Sequence, residues 1–163
     1  MASFADTLRV LNEMKMAGVV EDYAVAGAMA LAFWTEPIPT FDLDVLVFLP
    51  GSEPTIVSLE PLCPWTADRG YTARAEHVMI EGAPVQFLLA HNELADEAIE
   101  RAVTLDYEGV SVRVVRPEHL VALYLEPGAR TLKRRERAAA LRESSAVDQA
   151  QLDDLFKRFN LES

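Results

Sequence analysis

Thr40-Phe41-Asp42-Leu43-Asp44-Val45-Leu46-Val47 sets two carboxylates one residue apart at the head of an otherwise apolar strand. Successive strand residues face opposite ways, so Asp42 and Asp44 share one side at neighbouring rungs. Leu43, Val45 and Val47 lie on the other side, and Leu46 and Phe48 carry the strand on into a core. Two ionised carboxylates this close repel each other, and such a pair normally persists because a cation lies between them. A solvated strand start with two incidental acids has the same local sequence, so the pattern needs support from elsewhere. Gly27-Ala28, fifteen residues upstream, supplies it. Tyr23-Ala24-Val25-Ala26 reads as a short apolar strand running into Gly27, and Ala28 to Trp34 as a tightly packed helix. A strand that turns through glycine into a helix presents free backbone N–H groups where an anion is favoured. One element can hold a triphosphate and the next can hold the Mg²⁺ that bridges its oxygens.

Working outward, Ser3-Phe4-Ala5-Asp6 forms a capping box that opens a helix with Phe4, Leu8, Leu11 and Met14 on one face, closed by Gly18. Pro37 and Pro39 separate the Ala-rich helix from the Asp42–Phe48 strand, which ends at Pro50-Gly51-Ser52. Glu53 to Arg69 reads as a helix interrupted by Pro61 and Pro64. Arg74–Ile80 and Pro84–Leu89 form a hairpin across Glu81-Gly82-Ala83, and Val103–Tyr107 and Val110–Val115 form another across Glu108-Gly109. Between them Glu93 to Ala102 is a polar helix. Pro117-Glu118 starts a helix with Leu120, Leu123 and Tyr124 inward, stopped by Pro127-Gly128. Thr131–Glu143 and Asp148–Phe159 close the chain as two helices, the second with Leu152, Leu155, Phe156 and Phe159 in register and Asp148 and Gln151 as its capping pair.

The 163 residues suit a single core, here residues 1–128, with a short C-terminal helical tail, 129–163, packed on it. A formal charge of −11 argues against non-specific nucleic-acid binding as the main activity, because phosphate backbones demand a basic surface. The lone Cys63 excludes an internal disulfide and a cysteine-based zinc site, and with prolines around it and no nearby charge it reads as inert. No apolar run reaches about 18 residues and no basic leader precedes an apolar stretch, so no membrane span is expected and the expected setting is the cytoplasm.

Taken together, the glycine turn and the Asp-x-Asp strand resemble the nucleotidyltransferases of the DNA polymerase beta-like fold. Ala26-Gly27-Ala28-Met29-Ala30-Leu31-Ala32 with Pro39-Thr40-Phe41-Asp42-Leu43-Asp44 is similar, more narrowly, to the AbiEii-like and minimal nucleotidyltransferases, many of them partners in toxin–antitoxin pairs. The resemblance implies an α+β fold, a mixed sheet flanked by helices, and transfer of a nucleoside monophosphate from an NTP to an acceptor hydroxyl of RNA or protein. It implies Asp42 and Asp44 as catalytic residues holding Mg²⁺ or Mn²⁺. It also implies Gly27, Ala28, Arg130 and Lys133 as nucleotide-binding residues. Pro84-Val85-Gln86-Phe87-Leu88-Leu89-Ala90 matches the third catalytic strand, where active relatives usually carry an aspartate and this chain has Gln86. A carboxamide can offer a metal its oxygen, but it has no charge and cannot act as a base. Ala28 replaces a Gly or Ser, Ile38 an arginine, and Arg134 an aspartate of the family pattern. Two carboxylates of three remain, which keeps open a catalytically silent protein that binds nucleotide or a protein partner, or associates with itself.

The remaining candidates read more plainly. Arg130, Lys133, Arg134, Arg135, Arg137 and Arg142 face only Glu136 and Glu143 as nearby acids. Arg130 and Lys133 are expected nearest the phosphates, with Arg134, Arg135 and Arg137 toward solvent or a partner. His77, His91 and His119 are scattered without metal-ligand spacing. Phe33 and Trp34 read as core. Glu76, expected inside a strand, and Glu81 are the nearest acids that could stand in for the missing carboxylate.

Overall fold

The computed structural model describes residues 3–35, 42–49, 62–90, 92–128 and 131–161. Helix α1 (Phe4–Met16) starts as its sequence dictates. The Ser3 side chain accepts from the Asp6 backbone N–H, and the Asp6 carboxylate accepts from that of Ser3. Leu8, Leu11 and Met14 are buried along one stripe. Strand β1 (Asp22–Ala26) leads into α2 (Gly27–Trp34), and β2 (Leu43–Phe48) returns antiparallel beside β1. Then follow α3 (Leu62–Asp68), β3 (Thr72–Arg74), β4 (His77–Ile80), β5 (Ala83–Leu89), α4 (Glu93–Glu100), β6 (Val103–Tyr107) and β7 (Val110–Val114). Helices α5 (Pro117–Tyr124), α6 (Leu132–Glu143) and α7 (Gln149–Arg158) complete the chain.

Among the described residues, seven strands form one sheet in the order β3-β4-β5-β2-β1-β7-β6. Its centre is mixed: β2 pairs parallel with β5 and β1 parallel with β7, while the outer pairs are hairpins. Both two-residue turns have positive φ at both positions, 50° and 84° at Glu81-Gly82 and 48° and 83° at Glu108-Gly109. That mirror-image geometry matches the twist of the strands it joins. Alternation gives the sheet two faces. Val25, Val45, Val47, Val112 and Val114 are buried on the side of α1. The Tyr23 hydroxyl donates to Asn12 Oδ1 at 2.7 Å there. Ala24, Ala26, Asp44 and Leu46 lie on the other side, over which α2 and α4 pack and then α5. Among the described residues, no helix is long and apolar enough to cross a membrane.

Three expectations need correction. Arg74–Ile80 is not one strand: Ala75, at φ 53°, and Glu76 form a turn between β3 and β4, so Glu76 projects from a turn. Of the proposed Glu53–Arg69 helix, 62–68 is helical, with Pro64 in its first turn where a missing N–H costs nothing, and 50–61 lie outside the described residues. Gln151 takes part in the α7 cap through its backbone N–H, which donates to Asp148 Oδ1 at 3.2 Å together with that of Ala150 at 3.0 Å.

Helices α6 and α7 pack on α5 through buried Ala138, Leu141, Leu152 and Leu155. A polar clamp fixes the end of α7. Arg158 donates from Nη1 and Nη2 to the two oxygens of Glu97, at 2.8 and 3.0 Å, and His119 Nε2 stands 2.7 Å from Glu97 Oε2. Hydrogen bonding from Arg158, reinforced by His119 and opposed by burial, holds the Glu97 carboxyl near about 2, against an ordinary 4.5. A depressed carboxyl stabilises the fold above its unfolded pKa, and that contribution is lost as pH falls from about 4.5 through about 2. Arg158 is 43% exposed, so solvent screens the pair and Arg158→Ala is expected to cost about 1 kcal/mol at neutral pH. Urea denaturation of both proteins should show that difference shrinking as the pH is taken below 4.5.

Candidate active site

The site begins where β1 becomes α2. Ala26 stands opposite Asp44 in the antiparallel pair, and the chain enters α2 through Gly27 at φ +61°. This is the left-handed region that only glycine occupies without strain. A Cβ placed on Gly27 would overlap Asp44 Oδ2 and stand 3.1 Å from the Asp44 Cβ and Cγ. Backbone and neighbour both demand glycine here. Ala26 gives the first turn of α2 no side-chain cap, so its N–H groups remain available beside the Asp44 carboxylate.

Asp44 is partly buried, whereas the Asp42 side chain is 58% exposed at the head of β2. Burial raises the Asp44 pKa, the Asp42 charge raises it further, and His77, Arg137 and Arg134 pull it back. The Asp42 charge therefore opposes ionisation of Asp44, the situation a bound cation relieves.

Across the sheet, Gln86 of β5 is in register with Asp44 and shares its face. In the next strand Val78 stands opposite Val85, and alternation puts their neighbours His77 and Gln86 on the other face. Asp44, Gln86 and His77 thus share one face of the sheet. His77 Nε2 lies 3.7 Å from Asp42 Oδ2, and its Nδ1 lies 3.8 Å from Glu76 Oε1. The imidazole is 20% exposed. His77 is the residue sequence reasoning passed over. That reading took Glu81-Gly82-Ala83 as the turn, whereas the chain turns on Glu81-Gly82 alone and Ala83 already pairs with Ile80. The acids considered as substitutes point elsewhere: Glu76 toward His77, and Glu81 accepts from the Tyr71 hydroxyl at 2.8 Å.

Helix α6 closes one side, in a phase other than expected. Arg134 is partly buried, donates from Nη2 to the Leu123 carbonyl at 2.7 Å and lies 5.3 Å over the Tyr124 ring. Arg137 is also partly buried, and both arginines act electrostatically on Asp44 and Tyr124. They lie on the Asp44 side of the helix, and the expectation that they turn to solvent or a partner is corrected. The reason is helical phase: buried Ala138 and Leu141 fix which stripe of α6 faces inward, and 134 and 137 belong to it. Lys133 and Arg135 are exposed, and Arg130 and His91 lie outside the described residues. Ala28 is buried beneath the turn. Phe33 and Trp34 serve packing, with Phe33 edge-on to Tyr107 at 6.1 Å and Trp34 Nε1 donating to the Val115 carbonyl at 2.8 Å.

An open cleft of about 360 Å³ adjoins Asp42, bounded by Phe4, Met29, Pro84 and Tyr107. Among the described residues no three acidic, imidazole or thiol groups already converge as a metal cage. Mg²⁺ is commonly held by one or two carboxylates, with water and substrate phosphates completing its shell. The donor set of Asp42 and Asp44, two carboxylates that repel when empty, fits such an ion.

Neither a protein-family profile nor a curated protein sequence matches this chain. Solved structures do match it. An antigenic nucleotidyltransferase-like protein from Paracoccidioides brasiliensis is similar with a TM-score of 0.52 at 14% identity, over 96% of this chain and 90% of that one. ANT(2″)-Ia in complex with adenylyl-2″-tobramycin is similar with a TM-score of 0.51 at 16% identity, over 93% of this chain and 95% of that one. Identities this low carry the fold alone. The fold is α+β, and it is that of the nucleotidyltransferases.

Proposed function

We propose that the chain transfers a nucleoside monophosphate from an NTP to an acceptor hydroxyl. The observation that carries this reading is the Asp44 carboxylate lying against the uncapped start of α2, with Asp42 on the same strand face. Asp42 and Asp44 hold Mg²⁺ or Mn²⁺, which when bound supplies Lewis-acid neutralisation of phosphate charge. The backbone N–H groups at Gly27 and Ala28 take the phosphate oxygens. Arg134 and Arg137 offset charge on the triphosphate from the α6 side, and Arg130 and Lys133 are retained as nucleotide contacts in the same segment. The acceptor oxygen forms a bond to the α-phosphorus as the α–β bridging bond breaks. Pyrophosphate departs with that electron pair, and the acceptor's proton passes to solvent. Catalysis of this kind is mostly positioning and charge neutralisation.

A second reading has one observation in its favour. Gln86 stands in register beside Asp44, where a carboxylate would complete the ligand set, and this favours a chain that is silent as an enzyme and serves as a nucleotide-binding partner. A toxin–antitoxin pairing, suggested by the narrower AbiEii-like resemblance, belongs with this reading. Incubation with each α-labelled NTP, Mg²⁺ or Mn²⁺ and cellular RNA or protein separates the two. Transfer of label that Gln86→Asp raises about tenfold, roughly 1.4 kcal/mol of barrier, supports the enzyme. Nucleotide binding without transfer by either protein supports the silent partner.

A further inference from the structure

We propose that the cleft between α4, α5 and α7 is a second ligand site, built for a small molecule that bears a phosphate or carboxylate group. The cleft holds about 550 Å³, within the range of small-molecule sites, and its lining includes Arg101, Arg116, His119 and Arg158. None of its lining residues borders the cleft beside Asp42, so this inference stands apart from the reading of the carboxylates. The local charge runs against that of the chain, which carries −11 while three guanidiniums line this one cleft. Arg158 is neutralised from within: it donates to both oxygens of Glu97 and, from Nε, to Asp154 Oδ2 at 2.7 Å. Arg101 and Arg116 differ. Among the described residues neither has an ion-pair partner, and Arg116 uses its Nε alone, donating to the Arg101 carbonyl at 2.6 Å. That bond ties the end of α4 to the start of α5 and leaves two arginines with unused donors at one opening.

His119 supplies an independent sign. It is 5% exposed and its Nε2 stands 2.7 Å from Glu97 Oε2, but its Nδ1 is buried with no hydrogen-bond partner. Buried polar atoms left in this way usually mark the place of a water or a bound group. The first turn of α5, which begins at Arg116 and contains His119, also has no side-chain cap. An uncapped helix start favours negative charge. Guanidiniums and helix start therefore select an oxyanion. The fork of an arginine matches the oxygen spacing of carboxylate and phosphate alike, which sets the ligand class.

The test watches the two arginines themselves. The full chain is titrated at constant ionic strength with inorganic phosphate in one arm and acetate in the other, while the arginine side-chain Nε–H signals are followed by NMR. The proposal expects the Arg101 and Arg116 signals to shift and saturate in the low millimolar range with at least one of the two anions. Saturation by phosphate alone marks a phosphorylated ligand, and saturation by acetate as well extends the class to carboxylates. Arg101→Gln/Arg116→Gln is expected to weaken the binding at least about tenfold. Asp42→Asn/Asp44→Asn is expected to leave it unchanged. Shifts that never saturate with either anion overturn the proposal. So does saturable binding that survives the double Gln variant, or that is lost in the double Asn variant. The titration of the wild type decides whether the cleft binds anions even where a variant folds poorly.

Discussion

Gly27→Ala is expected to damage the protein more than the same change at any other described glycine. The new Cβ meets two separate obstacles. It must sit at φ +61°, a backbone that costs a non-glycine residue about 1–2 kcal/mol, and it must overlap the Asp44 carboxylate. If Asp44 holds its place, strain adds about 1–3 kcal/mol, and the loss reaches about 2–5 kcal/mol in urea denaturation. If Asp44 swings away, stability is partly spared but the carboxylate leaves the mouth of α2, and metal–nucleotide binding fails. Gly82→Ala is the control, since Gly82 has φ +84° and nothing within 4 Å of its Cβ position. It should show the backbone cost alone. A Gly27→Ala protein with both stability and ligand binding intact would refute the contact.

Asp44→Asn should separate stability from function in the opposite direction. Burial, and then the charge of Asp42, raise the Asp44 pKa in the folded chain. The native state therefore binds the proton more tightly than the unfolded one. The Asp44 contribution is fully present below the unfolded value of 3.8 and is lost as pH rises through the raised folded value. At neutral pH the ionised carboxylate is a burden to the ligand-free fold, and Asn removes it. A gain within about 1 kcal/mol is expected without ligand, fading as the pH is lowered. With ligand the order reverses. At a hundredfold excess over Kd, metal and nucleotide should stabilise the wild type by about 2.7 kcal/mol, and Asp44→Asn should lose nearly all of it. Any transfer rate should fall about 10²–10³-fold. Thermal melting with and without Mg²⁺–NTP, at two pH values, measures all but the last, and equal ligand stabilisation in both proteins would remove Asp44 from the site.

What could be read in advance depended on the range of the interactions involved. The capping box at Ser3, the turn at Gly27 and the hairpins at Gly82 and Gly109 are set by residues within a few positions of one another, and the structure has all of them. The Asp42/Asp44 strand was legible for the same reason, because period-2 alternation is local. The turn at Ala75-Glu76 was missed because alanine rarely adopts positive φ, so nothing in the identity of Ala75 announces a turn. The inward face of α6 was misjudged because two residues, Ala138 and Leu141, anchor the helix and leave Leu132, at its start, 75% exposed. A mostly charged helix has a weak apolar stripe, and neighbours decide its phase. The pairing of Asp44 with Gln86 is parallel and joins strands some forty residues apart, which no local pattern encodes.

That parallel pairing also orders the birth of the site. Asp42, Asp44 and Gly27 belong to one nearly contiguous unit, β1–α2–β2, and Gln86 and His77 to another, the β4–β5 hairpin. Each unit can assemble from close sequence neighbours, whereas the seam between β2 and β5 must wait for a long loop to close. The carboxylates and Gln86 lie on opposite banks of that seam, so the pocket between them is finished only when the two units dock. The parallel β1–β7 pairing, which sets Val25 beside Val114, is a second join of the same long-range kind.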